Sequence, residues 1–138
     1  MEPRTTVYRN SKTGIFYVQP YTIGPVAATS FGDPTVVKPE EFSTNIADAI
    51  IKNLEKFGKD KFETSKAKRF GGREQRTFLS EHTEVSVSKP DSGGLVIHPL
   101  RREGGGRVGD REGVIILAEE DLPHKLADAI SEAFQRAT

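Results

Sequence analysis

Cysteine and tryptophan are both missing from this chain of 138 residues, which has only three histidines and one methionine. Without cysteine there is no disulfide, no thiolate nucleophile and no Cys-ligated zinc. Without tryptophan there is no indole platform for a sugar or a quaternary ammonium group. The longest apolar run, Val114-Ile115-Ile116-Leu117-Ala118, is far shorter than the ~20 residues a membrane-spanning helix needs. No apolar segment follows Met1-Glu2-Pro3-Arg4, so no secretory leader is expected there. Together these absences predict a protein of the reducing cytoplasm, away from the membrane.

What is present suffices for a fold. Val, Ile, Leu and Phe number 34 of the 138 residues, above the roughly one-fifth at which chains fail to bury a core. Lysine and arginine balance aspartate and glutamate at 20 each, yet the charge is unevenly spread. Residues 52–76 carry nine cationic and four anionic side chains, whereas residues 112–132 carry one cationic and six anionic. Such a dipolar surface steers a charged macromolecule.

The chain also repeats itself. Ala47-Asp48-Ala49-Ile50 returns 80 residues later as Ala127-Asp128-Ala129-Ile130. At the same offset Phe42 matches Leu122, Ile46 matches Leu126, and Leu54 matches Phe134. These positions fall on one stripe of an α-helix, so each segment buries a single face. Both helices open with acids and proline, Lys38-Pro39-Glu40-Glu41 and Glu119-Glu120-Asp121-Leu122-Pro123, which suit a first helical turn. Gly58 ends the first helix. Thr35-Val36-Val37 and Ile115-Ile116-Leu117 read as strands feeding those helices, and Ile15–Val18 aligns with Leu95–His98.

Residues 82–99 read as a hairpin. Thr83, Val85 and Val87 alternate with polar neighbours, and Pro90-Asp91-Ser92-Gly93 has the signature of a type I turn. Asn10–Gly14 plays the same part between strands at Thr6–Arg9 and Ile15–Gln19. The reading is a single α+β domain over 1–138 with a mainly antiparallel sheet and two principal amphipathic helices. Its halves span about 5–58 and 82–137. The bridge, 59–81, holds a short helix at Arg73–Leu79.

Catalytic motifs fail on context. Gly104-Gly105-Gly106-Arg107-Val108-Gly109 fits the dinucleotide fingerprint, but it joins two strands where a phosphate cradle needs a strand and then a helix. Ala28-Thr29-Ser30-Phe31-Gly32 differs by one residue from a nucleophile elbow but runs into Asp33-Pro34. His82, His98 and His124 have no metal-ligand spacing, and His98 stands at a strand end before Pro99. A metal-dependent nuclease needs glutamate two residues before lysine, whereas Val87 precedes Lys89. No catalytic residue, cofactor or metal is expected.

Two segments stand out for binding. Lys59, Lys61, Lys66, Lys68, Arg69, Arg73 and Arg76 interleave with Phe62 and Phe70, a composition that grips single-stranded nucleic acid. Arg101, Arg102, Arg107, Asp110 and Arg111 surround the glycine-rich loop, whose arginines suit an acidic or phosphate-bearing partner.

The second half has an order that resembles one family of immunity proteins from bacterial contact-dependent growth inhibition systems. It runs from a strand pair, Glu84–Ser88 and Leu95–Pro99, through glycine-rich Gly104–Gly113 to the strand Val114–Leu117 and an Ala-rich helix ending near Phe134. The likeness covers residues 74–137. It implies a cytoplasmic, non-enzymatic protein that binds and neutralises the C-terminal toxin domain, often a nuclease, of a cognate effector. Carboxylates that mimic phosphate would then meet the toxin, with Glu119, Glu120, Asp121, Asp128 and Glu132 as candidates, echoed by Glu40, Glu41 and Asp48. The strands-then-helix repeat is also similar in architecture to the Whirly-type single-stranded nucleic-acid binders, which makes nucleic-acid binding through 59–76 the alternative. A third reading is a subunit whose strand edges pair with a partner.

Overall fold

The computed structural model describes residues 1–59, 72–104 and 106–138. Its strands are β1 (Arg4–Asn10), β2 (Phe16–Gln19), β3 (Tyr21–Ile23), β4 (Ala28–Ser30), β5 (Thr35–Val37), β6 (His82–Ser88), β7 (Leu95–Glu103), β8 (Gly106–Gly109) and β9 (Ile115–Leu117). The helices are α1 (Phe42–Lys56), α2 (Gly72–Glu81) and α3 (Leu126–Arg136). Every strand pairing is antiparallel, so the α+β class read from the sequence holds.

The main sheet runs β5-β2-β1-β6-β7, with β9 on the outer side of β7. That order is a palindrome of the two halves. Thr6 faces Ser86 across the central β1–β6 ladder. These two residues are 80 apart in sequence, so a pseudo-twofold axis passes through their pair. Residues 41–50 and 121–130 share an identical burial pattern position by position.

One alignment needs correction. Phe16 faces Val37 on one side and Leu95 faces Leu117 on the other. β2 therefore matches β7 at an offset of 79, one residue less than the helices, because the turn before β7 is shorter. The close approach that permits this occurs at Gly94, where φ is +73° and a Cβ would lie 2.1 Å from the Leu117 carbonyl oxygen.

With that shift, a second repeat emerges. After β2 the chain passes Pro20 into the hairpin β3–β4, and after the first part of β7 it passes Pro99 into the hairpin β7–β8. Phe31 N–H donates to the Pro20 carbonyl and Asp110 N–H to the Pro99 carbonyl, at 3.1 and 2.8 Å. Each proline stands where its strand changes outer partner, so its missing N–H costs no ladder bond. The structure thus has two arms, Tyr21–Ser30 and 100–109. The loop expected at 101–111 is mostly strand, and His98 lies within β7 instead of at its end.

α1 and α3 cover one face of the sheet. Ile46, Ile50, Leu126 and Ile130 are fully buried against Val7, Val18, Val37, Val85, Val87, Leu95 and Ile97. Strand alternation sends the intervening residues to the opposite face. α1 starts at Phe42, but α3 starts only at Leu126. Leu122 is extended (φ −99°, ψ 142°) because the following Pro123 disfavours the helical region. The first half also buries Asn53, whose amide donates to Thr5 Oγ1 (3.3 Å) and the Val18 carbonyl (3.1 Å). Its counterpart in α3 is Ala133. Among the described residues, no helix is long and apolar enough to cross a membrane.

Candidate functional site

The face of the sheet opposite α1 and α3 carries cross-strand rows that the pseudo-axis relates. One row is Val36–Tyr17–Tyr8–Glu84 and its counterpart is Ile116–Val96–Ser88–Arg4. Thr6, Ser86 and His98 lie between them. Identical backbone positions therefore hold different chemistry in the two halves. Tyr8 becomes Ser88, and Glu84 becomes Arg4.

The inner end of the first row, Tyr8 and Glu84, is covered, while Val36 at its outer end is 54% exposed. Phe78 of α2 meets the Tyr8 ring edge-on at 5.0 Å, and His82 stacks on Phe78 at 3.9 Å while approaching Tyr17 at 5.6 Å. The second arm closes over this helix end. Arg107 pairs with Glu84 at 3.2 Å and donates to the carbonyls of Leu79 and His82. Arg102 donates to the carbonyls of Leu79 and Ser80 at 2.9 and 3.0 Å. Two guanidinium groups thus satisfy carbonyls that the end of α2 leaves unpaired, where the helix dipole favours cations. Burial raises the Glu84 carboxyl pKa, and hydrogen bonding to Arg107 opposes that rise. Burial also raises the Tyr8 hydroxyl, with the Glu84 charge adding to the effect.

The second row is open. Ile116 is 75% exposed, and Arg4, Ser88, Val96 and His98 are only partly covered. Beside them lies a shallow groove of about 430 Å³, bordered by Met1, Glu2, Arg4, Ala27, Ala28, Ser86, Ser88 and His98. The Arg4 guanidinium sits over the Tyr21 ring, 4.9 Å from its centroid. Tyr21 in turn accepts a hydrogen bond from Thr6 at 3.0 Å.

The sequence-selected residues divide into two groups. Glu119 accepts from Gly94 N–H at 2.7 Å and Asp121 from Ala118 N–H at 3.0 Å, so both shape the turn before α3. The Asp121 carboxyl is held below its ordinary pKa by that backbone bond and by Lys125. Asp110 caps the short turn Arg111–Gly113 and pairs with Arg136 at 2.8 Å, which holds its pKa down. Arg107 turns inward onto the end of α2, while Arg102 caps the same helix end from an exposed position. Glu120, Asp128, Glu132 and Arg111 are exposed, and Arg101 pairs with Glu103 in solvent.

The acidic and arginine candidates therefore form no single cluster. Of the basic segment, Lys59 and Arg76 are exposed. Lys61, Lys66, Lys68, Arg69, Phe62 and Phe70 lie outside the described residues. Sequence reasoning missed Arg4, Tyr8, Tyr21 and Glu84. The alternation through β6 marks Glu84, Ser86 and Ser88 as one face, but nothing local indicates which half α2 covers.

No family model matches the chain, and no curated protein matches it. Its fold is similar to that of a protein of unknown function from Neisseria meningitidis, NMB0488, with a TM-score of 0.72. The match spans 100% of this chain and 96% of that one at 10% sequence identity, a likeness of fold alone.

Proposed function

We propose that this chain is an immunity protein that binds and neutralises the C-terminal toxin domain, of nuclease type, of a contact-dependent growth inhibition effector. The observation that carries the binding part of this reading is the uncovered row Arg4–Ser88–Val96–Ile116 and its shallow groove. The surface is backed by the central sheet and sets the exposed apolar Ile116 near the polar side chains of Arg4, Ser88 and His98. Such a surface suits a protein partner better than an enclosed small molecule. The toxin part rests on the order of elements in the second half. Strand pair, glycine-rich arm, strand and helix occur as β6, β7, β8, β9 and α3 in the succession that resembles the immunity family. Exposed Glu120, Asp128 and Glu132 offer a second, acidic contact.

The test is co-expression with the C-terminal domain of the nearest large secreted protein encoded beside this gene. Restored growth together with a co-purifying one-to-one complex is the expected result. A toxic domain that this chain neither rescues nor binds overturns the pairing. Binding to single-stranded RNA or DNA that weakens steeply with salt would support the nucleic-acid alternative instead.

A further inference from the structure

The groove beside Arg4 has a filled counterpart in the same molecule. In the second half, the arm residue Arg107 reaches down to Glu84 on β6, and Tyr8 packs beside them. The pseudo-axis carries Arg107 onto Ala28, Glu84 onto Arg4, and Tyr8 onto Ser88. Two large side chains are thus replaced by two small ones, and Ala28 and Ser88 both border the open groove. The charge at the base is inverted as well, from carboxylate to guanidinium. Arg4 Nε is buried and has no hydrogen-bond partner among the described residues, although a buried donor ordinarily has one.

From this we infer that the groove receives a side-chain carboxylate of the partner protein, inserted from outside where Arg107 is supplied from within on the other half. The inference rests on the protein-binding reading above and names the chemistry of one contact. Arg4 supplies the charge-assisted donors, a geometry that favours a planar carboxylate. The hydroxyls of Ser86 and Ser88 and the imidazole of His98 supply further polar partners along the floor. The aromatic ring of Tyr21 packs against the guanidinium, with its centroid 4.9 Å away. Two carboxylates face this region. Glu2 stands at the exposed rim, and Glu84 is close enough for Arg4 to lower its pKa but is hydrogen-bonded to Arg107.

The experiment titrates the ¹⁵N-labelled full chain with N-acetylglutamate methylamide, which carries one side-chain carboxylate, and separately with inorganic phosphate at matched ionic strength. The carboxylate is expected to shift the Arg4 Nε–H resonance and the amides of Ala28, Ser86 and Ser88, while exposed Arg111 stays still. Arg4→Gln should weaken the response at least tenfold, and Ser88→Tyr, which copies Tyr8, should block it. An unchanged response in Arg4→Gln, or an equal shift at Arg111, overturns the assignment, as does a stronger response to phosphate.

In the toxin complex, Arg4→Gln should weaken binding tenfold or more and Lys12→Gln, at an exposed turn position, should not. Neutralisation unaffected by Arg4→Gln overturns the groove and leaves the immunity reading intact. Failure of any toxin pairing overturns the immunity reading, and the titration still decides the groove.

Discussion

The two arms leave the sheet at equivalent prolines and return to equivalent hydrogen bonds, yet they do opposite things. The arm at 100–109 carries Arg102 and Arg107 to the end of α2, whereas the arm at Tyr21–Ser30 has Ile23 and Ala28 at those positions. Ile23 contacts the chain near Gly58, after α1, and stays half exposed. The difference follows from the bridge between the halves. Only the second half is preceded by a helix, α2, that lies on the face opposite α1 and α3, so only there does an arm have carbonyls to cap and a carboxylate to neutralise. The first arm has neither, and the groove between it and Arg4 and Ser88 stays open. The shared backbone plan supplies the scaffold, and the asymmetry supplies the surface.

If one core serves both halves, equivalent core residues should be equally costly to truncate. Ile50→Ala and Ile130→Ala, both at fully buried positions, should each lose about 3–4 kcal/mol in urea unfolding. A loss confined to one of them would break the equivalence.

The arms should then differ sharply. Arg107→Ala strands the Glu84 carboxylate and should cost about 3 kcal/mol at neutral pH, while Ala28→Ser in the other arm should be nearly silent. The sign with pH follows from the raised Glu84 pKa. A carboxyl that binds its proton more tightly folded than unfolded loses stability as pH rises from its unfolded value to its folded one. The Arg107→Ala defect should therefore shrink in acid, as measured by thermal melts across pH. A deficit that does not change with pH would mean that packing, not the stranded charge, dominates.

The buried amide of the first half offers a swap. Asn53→Ala leaves the Val18 carbonyl without its donor and should cost about 2 kcal/mol. Adding Thr5→Val, which copies Val85 beside Ala133, should recover part of that loss in a double-mutant cycle. Additive losses would sink the idea that the two polar groups form one unit.

The smallest effect belongs to the helix entries. Glu41 and Asp121 are equivalent and each accepts from the backbone three residues earlier, at 3.1 and 3.0 Å. The Asp121 pKa is lowered, and its contribution is present above the unfolded value and lost as pH falls through the folded one. Asp121→Asn should flatten the acid limb of the stability profile slightly, as read by thermal melts between neutral and acid pH.

Much of this architecture was legible in the chain. The recurring Ala-Asp-Ala-Ile, the alternation through β6 and the turn at Pro90–Gly93 are local signals, because helix stripe, strand pleat and turn residues each have a short period. The arms were harder to see. Their repeat is broken by the one-residue difference before β7, and Tyr21–Ser30 shares almost no residue types with 100–109. Glycine at 104–109 read as loop, since flexibility is a local property while pairing with β7 is not. The arginines near that turn suit a partner by composition, and no local signal shows that Arg102 and Arg107 also donate to carbonyls at the end of α2.

The sequence by itself determined the periodic content of this protein: two helices with matching buried stripes, strands that feed them, and a fold class that can bury those stripes only against a sheet. Side-chain spacing dictates that much, since a stripe must find an apolar face. Tertiary structure alone decided which face of the sheet stays open and which charges are already used. The Arg107–Glu84 pair and the open Arg4 are separated by no local pattern. They are distinguished by where α2 and the two arms come to rest, which depends on contacts between residues distant in the chain.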